Sequence, residues 1–145
     1  MADTVTEQWV YPPNWDGNPP VRSGWRRVEK RFTCVSDGTG ETSVIKIDIS
    51  ELRTVSGVAP TRTAVESIRF NQKGFTSIKL LWDRAAPYTI CVLAGDRGEL
   101  DFGRFGGLVD PGEAGDRTGD ILLTSSGATA GDVYDITICL RLKEF

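Results

Sequence analysis

Seven carboxylates crowd one stretch of the chain: Asp96, Glu99, Asp101, Asp110, Glu113, Asp116 and Asp120. Two carboxyl groups at the right separation cleave a glycosidic bond, one as acid and the other as base or nucleophile. Nothing in the spacing of these seven singles out two. A sugar cleft also needs aromatic platforms, and Trp82, the tryptophan that falls inside a strand-like run, has the phase of a core residue. The same acids suit calcium, a hard cation that takes oxygen ligands. Yet Asp110-Pro111-Gly112-Glu113-Ala114-Gly115-Asp116 lacks EF-hand spacing and reads as a solvated loop.

The chain has no histidine. That removes Ser/His and Cys/His nucleophile activation and the commonest metal ligand. Cys34, Cys91 and Cys139 are odd in number, widely spaced and set in apolar runs, which fits neither a disulfide framework nor a CxxC metal site. They read as buried thiols that pack as small hydrophobes. Asp37-Gly38-Thr39-Gly40 and Gly106-Gly107 do not lead into helix N-termini, so they read as turns and not as phosphate cradles. No catalytic residue, metal site or cofactor is expected.

Composition narrows the partners. At 145 residues one domain is expected, large enough to bury a core without disulfides. The net charge of −3 offers no footprint for nucleic acid. The one basic cluster, Arg22, Arg26, Arg27, Lys30 and Arg31, reads as a solvated strand face or a protein contact. No apolar run approaches a membrane span, and residues 1–11 do not read as a signal peptide. Synthesis in a cytoplasm is the expectation.

The elements that would position these groups are strands. In 25–35, Val28, Phe32 and Cys34 alternate with Arg27, Glu29 and Arg31. In 44–50, Ile45, Ile47 and Ile49 point inward, with Lys46 and Asp48 outward. Residues 51–60 leave room for one helical turn. Residues 64–71 and 75–83 read as a hairpin about Lys73-Gly74, with Ile68, Phe70, Ile78, Leu80 and Trp82 inside. The run 88–94 is apolar on both faces and reads as the most central strand. Residues 99–102 suit a short edge strand, and 103–119 a long loop. The segments 120–125 and 132–143 read as a closing hairpin, with Ile121, Leu123, Tyr134, Ile136, Ile138, Leu140 and Leu142 inward. About eight strands without a convincing helix predict an all-β, single-domain antiparallel β-sandwich, jelly-roll-like, over 25–145.

Residues 1–24 differ. Trp9, Tyr11, Pro12, Pro13, Trp15, Pro19 and Pro20 make an aromatic, proline-rich arm without helical or strand periodicity. Its aromatics need cover, either from the chain's own sheet or from a neighbouring subunit. Trp9, Tyr11 and Trp15, with Arg26 and Arg27 at the start of the first strand, are the candidate contact residues.

An ordered series of short motifs resembles the small virion structural proteins of tailed bacteriophages. It comprises Asp37-Gly38-Thr39-Gly40-Glu41 before Val44-Ile45-Lys46-Ile47-Asp48, then Leu81-Trp82-Asp83, Leu100-Asp101-Phe102 and Gly106-Gly107-Leu108-Val109-Asp110-Pro111. Thr118-Gly119-Asp120-Ile121-Leu122-Leu123-Thr124 and Gly131-Asp132-Val133-Tyr134-Asp135-Ile136-Thr137 complete it. The likeness covers residues 33–143. It implies a β-sandwich subunit on the particle, foremost a capsid decoration (cement) protein on the outer capsid surface. Its implied partners are the major capsid protein and sister subunits in a homo-oligomer, for example a trimer. Tail- and neck-associated proteins use similar folds, and a carbohydrate-binding β-sandwich module is the rival from another class. That rival would set exposed aromatics such as Trp25 and Tyr88 side by side on a sheet face.

Overall fold

The computed structural model describes residues 4–11, 27–52, 60, 62–112 and 118–143. Ten strands lie among them: β1 Thr4–Tyr11, β2 Arg27–Asp37, β3 Val44–Ile47, β4 Arg62–Lys73, β5 Ser77–Trp82, β6 Tyr88–Leu93, β7 Arg97–Asp101, β8 Leu108–Val109, β9 Ile121–Ser126 and β10 Ala130–Lys143. Two single 3-10 turns, Ile49–Glu51 and Gly103–Phe105, interrupt them. No described helix is long and apolar enough to cross a membrane.

The strands form two antiparallel sheets. One has the order β1-β2-β10-β4-β7, with β8 also on β4, and the other the order β3-β9-β5-β6. Setting β1 and β8 aside, β2-β10-β4-β7 faces β3-β9-β5-β6, the double Greek key of an eight-stranded jelly roll. The expected fold class holds. The core between the sheets includes Phe32, Ile68, Leu80, Trp82, Ile136 and Ile138. Period-two alternation carries β2, where every second residue from Val28 to Ser36 is buried. It also carries β10, whose inward residues Tyr134, Ile136, Ile138, Leu140 and Leu142 are all buried.

The structure corrects the pairing. Residues 64–71 and 75–83 do not form a hairpin, because β4 lies in the six-stranded sheet and β5 in the four-stranded one. The closing pair behaves alike: β9 pairs with β3 and β5, while β10 pairs with β2 and β4. In both places a short connection crosses between layers, as a jelly roll requires. Alternation reports which face is buried but says nothing about which sheet supplies the neighbour.

Strand 88–94 is not central. β6 is the outer edge of the four-stranded sheet, with Tyr88 and Val92 about half exposed. A strand apolar on both faces can be an edge when nothing covers one of those faces. β10 takes the central place, flanked by β2 and β4 over most of its length.

In β3 the expected phase is reversed at two positions. Val44 pairs with Leu123, Ile45 with Leu122 and Ile47 with Ile121, which leaves Lys46 as an extra residue. This bulge turns Ile45 outward, 49% exposed, and Lys46 inward, 1% exposed. Lys30, expected on a solvated basic face, is buried as well.

Residues 4–11, read as lacking strand periodicity, form β1, paired with β2 from Thr4 opposite Val35 to Tyr11 opposite Glu29. Its pattern is hard to read because β1 is an edge strand, so polar residues are tolerated on both faces. Residues 103–119, read as loop throughout, contain the 3-10 turn and β8.

Candidate functional site

The outward side of the six-stranded sheet is a lattice of charged and polar side chains. Thr33, Asp135, Asn71 and Arg97 form one row across β2, β10, β4 and β7. Arg31, Thr137, Arg69 and Glu99 form the next, and Glu29, Cys139, Ser67 and Asp101 the third. Rows of this kind stand about 7 Å apart, with strands about 4.8 Å apart.

Ion pairs cross the rows. Arg31 grips Asp135 with two bonds, Nε to Oδ1 at 2.9 Å and Nη2 to Oδ2 at 2.6 Å. Arg69 Nη2 donates to Glu29 at 2.7 Å, and Arg27 Nε to Glu66 at 2.7 Å. The hydrogen-bonded carboxylates beside Arg27 and Arg31 hold both guanidinium pKa values above their ordinary value. Cys139, in the third row, has its thiol pKa raised by desolvation first and by Glu29 and Glu66 second.

The two ends of this face differ. At one end a pocket of about 300 Å³ is lined by residues that include Asn71, Lys73, Asp96, Arg97, Val133 and Asp135. At the other, the turn 103–107 folds over the sheet, and the Gly106 carbonyl accepts from Arg141 Nη2 at 2.7 Å. Gly107 needs its positive φ of 96°, and an added Cβ would come within 3.0 Å of both Ala64 Cβ and the Val65 carbonyl. The close approach leaves Phe105 standing 79% exposed beside the polar lattice. Sequence alone does not reveal this exposure, because Phe105 sits in an irregular segment.

Behind the lattice lies a second charged group. Lys46 Nζ pairs with Glu41 Oε2 at 2.7 Å, and Tyr134 Oη donates to Glu41 Oε1 at 2.5 Å. Lys46 Nζ stands 5.7 Å from the Phe32 ring centre and 5.9 Å from that of Tyr134, within cation–π range. Lys30 Nζ donates to the Lys46 carbonyl at 2.7 Å and pairs with Glu7 of β1 at 2.8 Å. Burial first, and Glu41 second, push the Tyr134 hydroxyl well above the usual tyrosine range. This group is closed in by β1, β2, β3 and β10, so its chemistry is structural.

The acids that could have been catalytic are scattered in local roles. Asp101 Oδ1 accepts from Gly103 N at 2.8 Å, and Asp120 Oδ1 from Ile49 N at 2.9 Å. Asp110 is buried against Arg84, accepts from Gly112 N, and leaves Oδ2 without a hydrogen bond. Glu113 and Asp116 lie outside the described residues. Among the described residues no three metal-ligating side chains gather. None of the three cysteines forms a disulfide: Cys34 is buried, while Cys91 and Cys139 are half-buried. Burial pushes the Cys91 thiol up to about 12.

Of the candidate contact residues, Trp9 falls opposite Lys30 and Tyr11 opposite Glu29 in backbone register. Arg27, at the adjoining start of β2, is held by Glu66. Trp15 and Arg26 lie outside the described residues, as does Trp25. Tyr88 has the Arg84 guanidinium 4.8 Å from its ring centre.

No family model matches this chain, and no curated protein matches it. Among solved structures it is similar to a family 29 carbohydrate-binding module at 9% identity and TM-score 0.37, covering 98% of this chain and 87% of that one. A second family 29 module matches at 9% identity and TM-score 0.38, covering 96% and 89%. A structure described as "CBM4 structure and function" matches at 8% identity and TM-score 0.29, covering 81% and 84%. At these scores the likeness decides nothing about function, which has to be argued from the chain's own residues.

Proposed function

We propose that this chain is a non-enzymatic structural protein of a tailed-phage virion, a decoration subunit bound to the major capsid protein on the outer capsid surface. The observation that carries the reading is the ordered motif series across 33–143, which spans both sheets and not one local hairpin. Jelly rolls are at home in viral capsids, but the fold by itself does not select a function. Protein contact is also favoured by the outward side of the four-stranded sheet. There Ile45 and Val92 are each about half exposed, while Leu122 and Leu81, which continue the row of Ile45, are buried. The test is to locate the chain by imaging intact particles and to measure rebinding of purified protein to stripped particles. Replacing Trp9, Tyr11 and Trp15 by Ala should abolish rebinding, and undiminished binding by that variant removes the arm from the contact.

A second reading is favoured by one specific observation, the polar lattice with exposed Phe105 at one end and a pocket at the other. Planar Arg, Asp, Glu and Asn groups suit sugar hydroxyls, and an exposed ring suits the apolar face of a sugar. Under this reading the chain binds host-surface glycans. Saturable glycan-array binding that is lost in both Phe105→Ala and Arg69→Ala would replace the first reading, and an empty array retires the second.

A further inference from the structure

The outward side of the six-stranded sheet has two apolar ends and a polar middle. At one end Val35 and Val133, paired in register across β2 and β10, are both exposed, and Val133 lines the pocket of about 300 Å³. At the other end stands the exposed ring of Phe105. Its turn is closed by backbone bonds: Phe105 N donates to the Phe102 carbonyl at 3.1 Å, Gly107 N to the same oxygen at 2.9 Å, and Phe102 N to the Glu66 carbonyl at 2.8 Å. The ring is thus held out from the sheet by a fixed backbone, which lowers the entropy lost when it is buried against another surface. A cavity of about 150 Å³ already accepts a benzene ring, so the pocket has room for a phenyl.

The two ends are equally far from the middle of the face and lie on the same strands. Along β10 the outward residues are Val133, Asp135, Thr137, Cys139 and Arg141, centred on Thr137, and along β7 they are Arg97, Glu99 and Asp101, centred on Glu99 of the same row. The Phe105 turn covers the Arg141 row, because Arg141 bonds the Gly106 carbonyl and Gly107 packs on Ala64, which pairs with Arg141. The pocket opens at the Val133 row. A two-fold axis lying in the face along the Thr137 row therefore carries the Phe105 end of one copy onto the pocket of another, and does so twice. The same operation sets Arg97 on Asp101, Asn71 on Ser67 and Thr33 on Glu29 of the second copy, so that a donor meets an acceptor in each pair. On the axis, Arg31 and Arg69 meet their own copies with their charges already held by Asp135 and Glu29, and Glu99 sits beside Arg69 in register. Covering the face therefore strands neither guanidinium.

We infer that this face is a self-complementary interface between two copies of the chain, in which Phe105 of each copy fills the pocket of the other and Arg97 of each pairs with Asp101 of the other. The inference concerns the purified chain. It is independent of particle binding, and it takes up the face on which the second reading sets a sugar.

The test is sedimentation equilibrium across micromolar to millimolar concentration, where the native chain should be a dimer. Phe105→Ala, a change at an exposed side chain, should leave the circular dichroism spectrum unchanged and raise the dissociation constant about a hundredfold, roughly tenfold for each of the two rings that lose their burial. A charge exchange supplies a second measurement. Arg97→Glu alone and Asp101→Arg alone each set like charges at both crossings and should be monomeric where the native chain is dimeric. An equimolar mixture of these two variants restores opposite charges at both crossings and should be dimeric. A monomeric native chain, a Phe105→Ala chain that associates as the native one does, or a mixture that stays monomeric each overturns the inference.

Discussion

Strand β2 carries charge on both of its faces, and the two sets behave differently. On the outer face Arg27, Glu29 and Arg31 pair with Glu66, Arg69 and Asp135 in contact with water. On the inner face Lys30 joins Lys46, Glu41 and Tyr134, with side chains almost wholly removed from it. Exposed pairs gain little, because water screens them and long side chains lose freedom on pairing. Buried pairs gain much from each other but only after a large desolvation cost, so removing one partner strands the other. The inner set thus holds the bulge of β3 and the edge strand β1 in register. The outer set contributes little to holding the strands together.

The largest break in that contrast should come from Glu41→Ala, which leaves Lys46 and the Tyr134 hydroxyl without their shared acceptor. Chemical denaturation should show a loss of about 3–5 kcal/mol. A loss no larger than that of an outer pair would mean that water reaches the inner group. Replacing Glu41, Lys46 and Tyr134 together by Leu, Met and Phe should recover most of this stability, because no stranded charge remains.

The next effect is on pH dependence. Tyr134 is held protonated above its ordinary value of 10. Its pKa is raised in the folded state, so the stability it contributes is complete below pH 10 and is lost as pH rises further. In an ultraviolet titration one tyrosine equivalent should stay protonated above the range in which ordinary tyrosines titrate, until the chain unfolds, and Tyr134→Phe should remove that equivalent. Full titration of every tyrosine in the folded chain would contradict the burial of this group. At neutral pH, Tyr134→Phe should lower stability by about 1.5–3 kcal/mol, as expected for a hydrogen bond to a charged acceptor.

The smallest effect belongs to the outer face. Arg69→Ala removes the pair with Glu29 and should change stability by only about 0.2–1 kcal/mol, less at high salt. A loss comparable to that of Glu41→Ala would erase the distinction between the two faces.

Much of the architecture was legible in the residues. The inward set of β10 and the alternation of β2 follow from period two, and the outer rows built from Arg27, Glu29 and Arg31 were visible as the opposite phase. The β3 reading failed at Ile45 and Lys46, because alternation counts residues while a bulge inserts one without a local signature. The 88–94 reading failed because apolar residues on both faces of a strand do not tell whether its edges are paired. Phe105 and the Glu41–Lys46–Tyr134 group were missed for a related reason, since each depends on segments far apart in sequence.

By itself the sequence determined the all-β class, the faces of its longest strands and the absence of histidine, because these depend on residue type and spacing alone. Only the tertiary structure decided which strands are neighbours, that both presumed hairpins cross between sheets, and that Lys46 points inward to Glu41. Pairing is settled by the simultaneous packing of two layers, in which register follows from what each face has to bury.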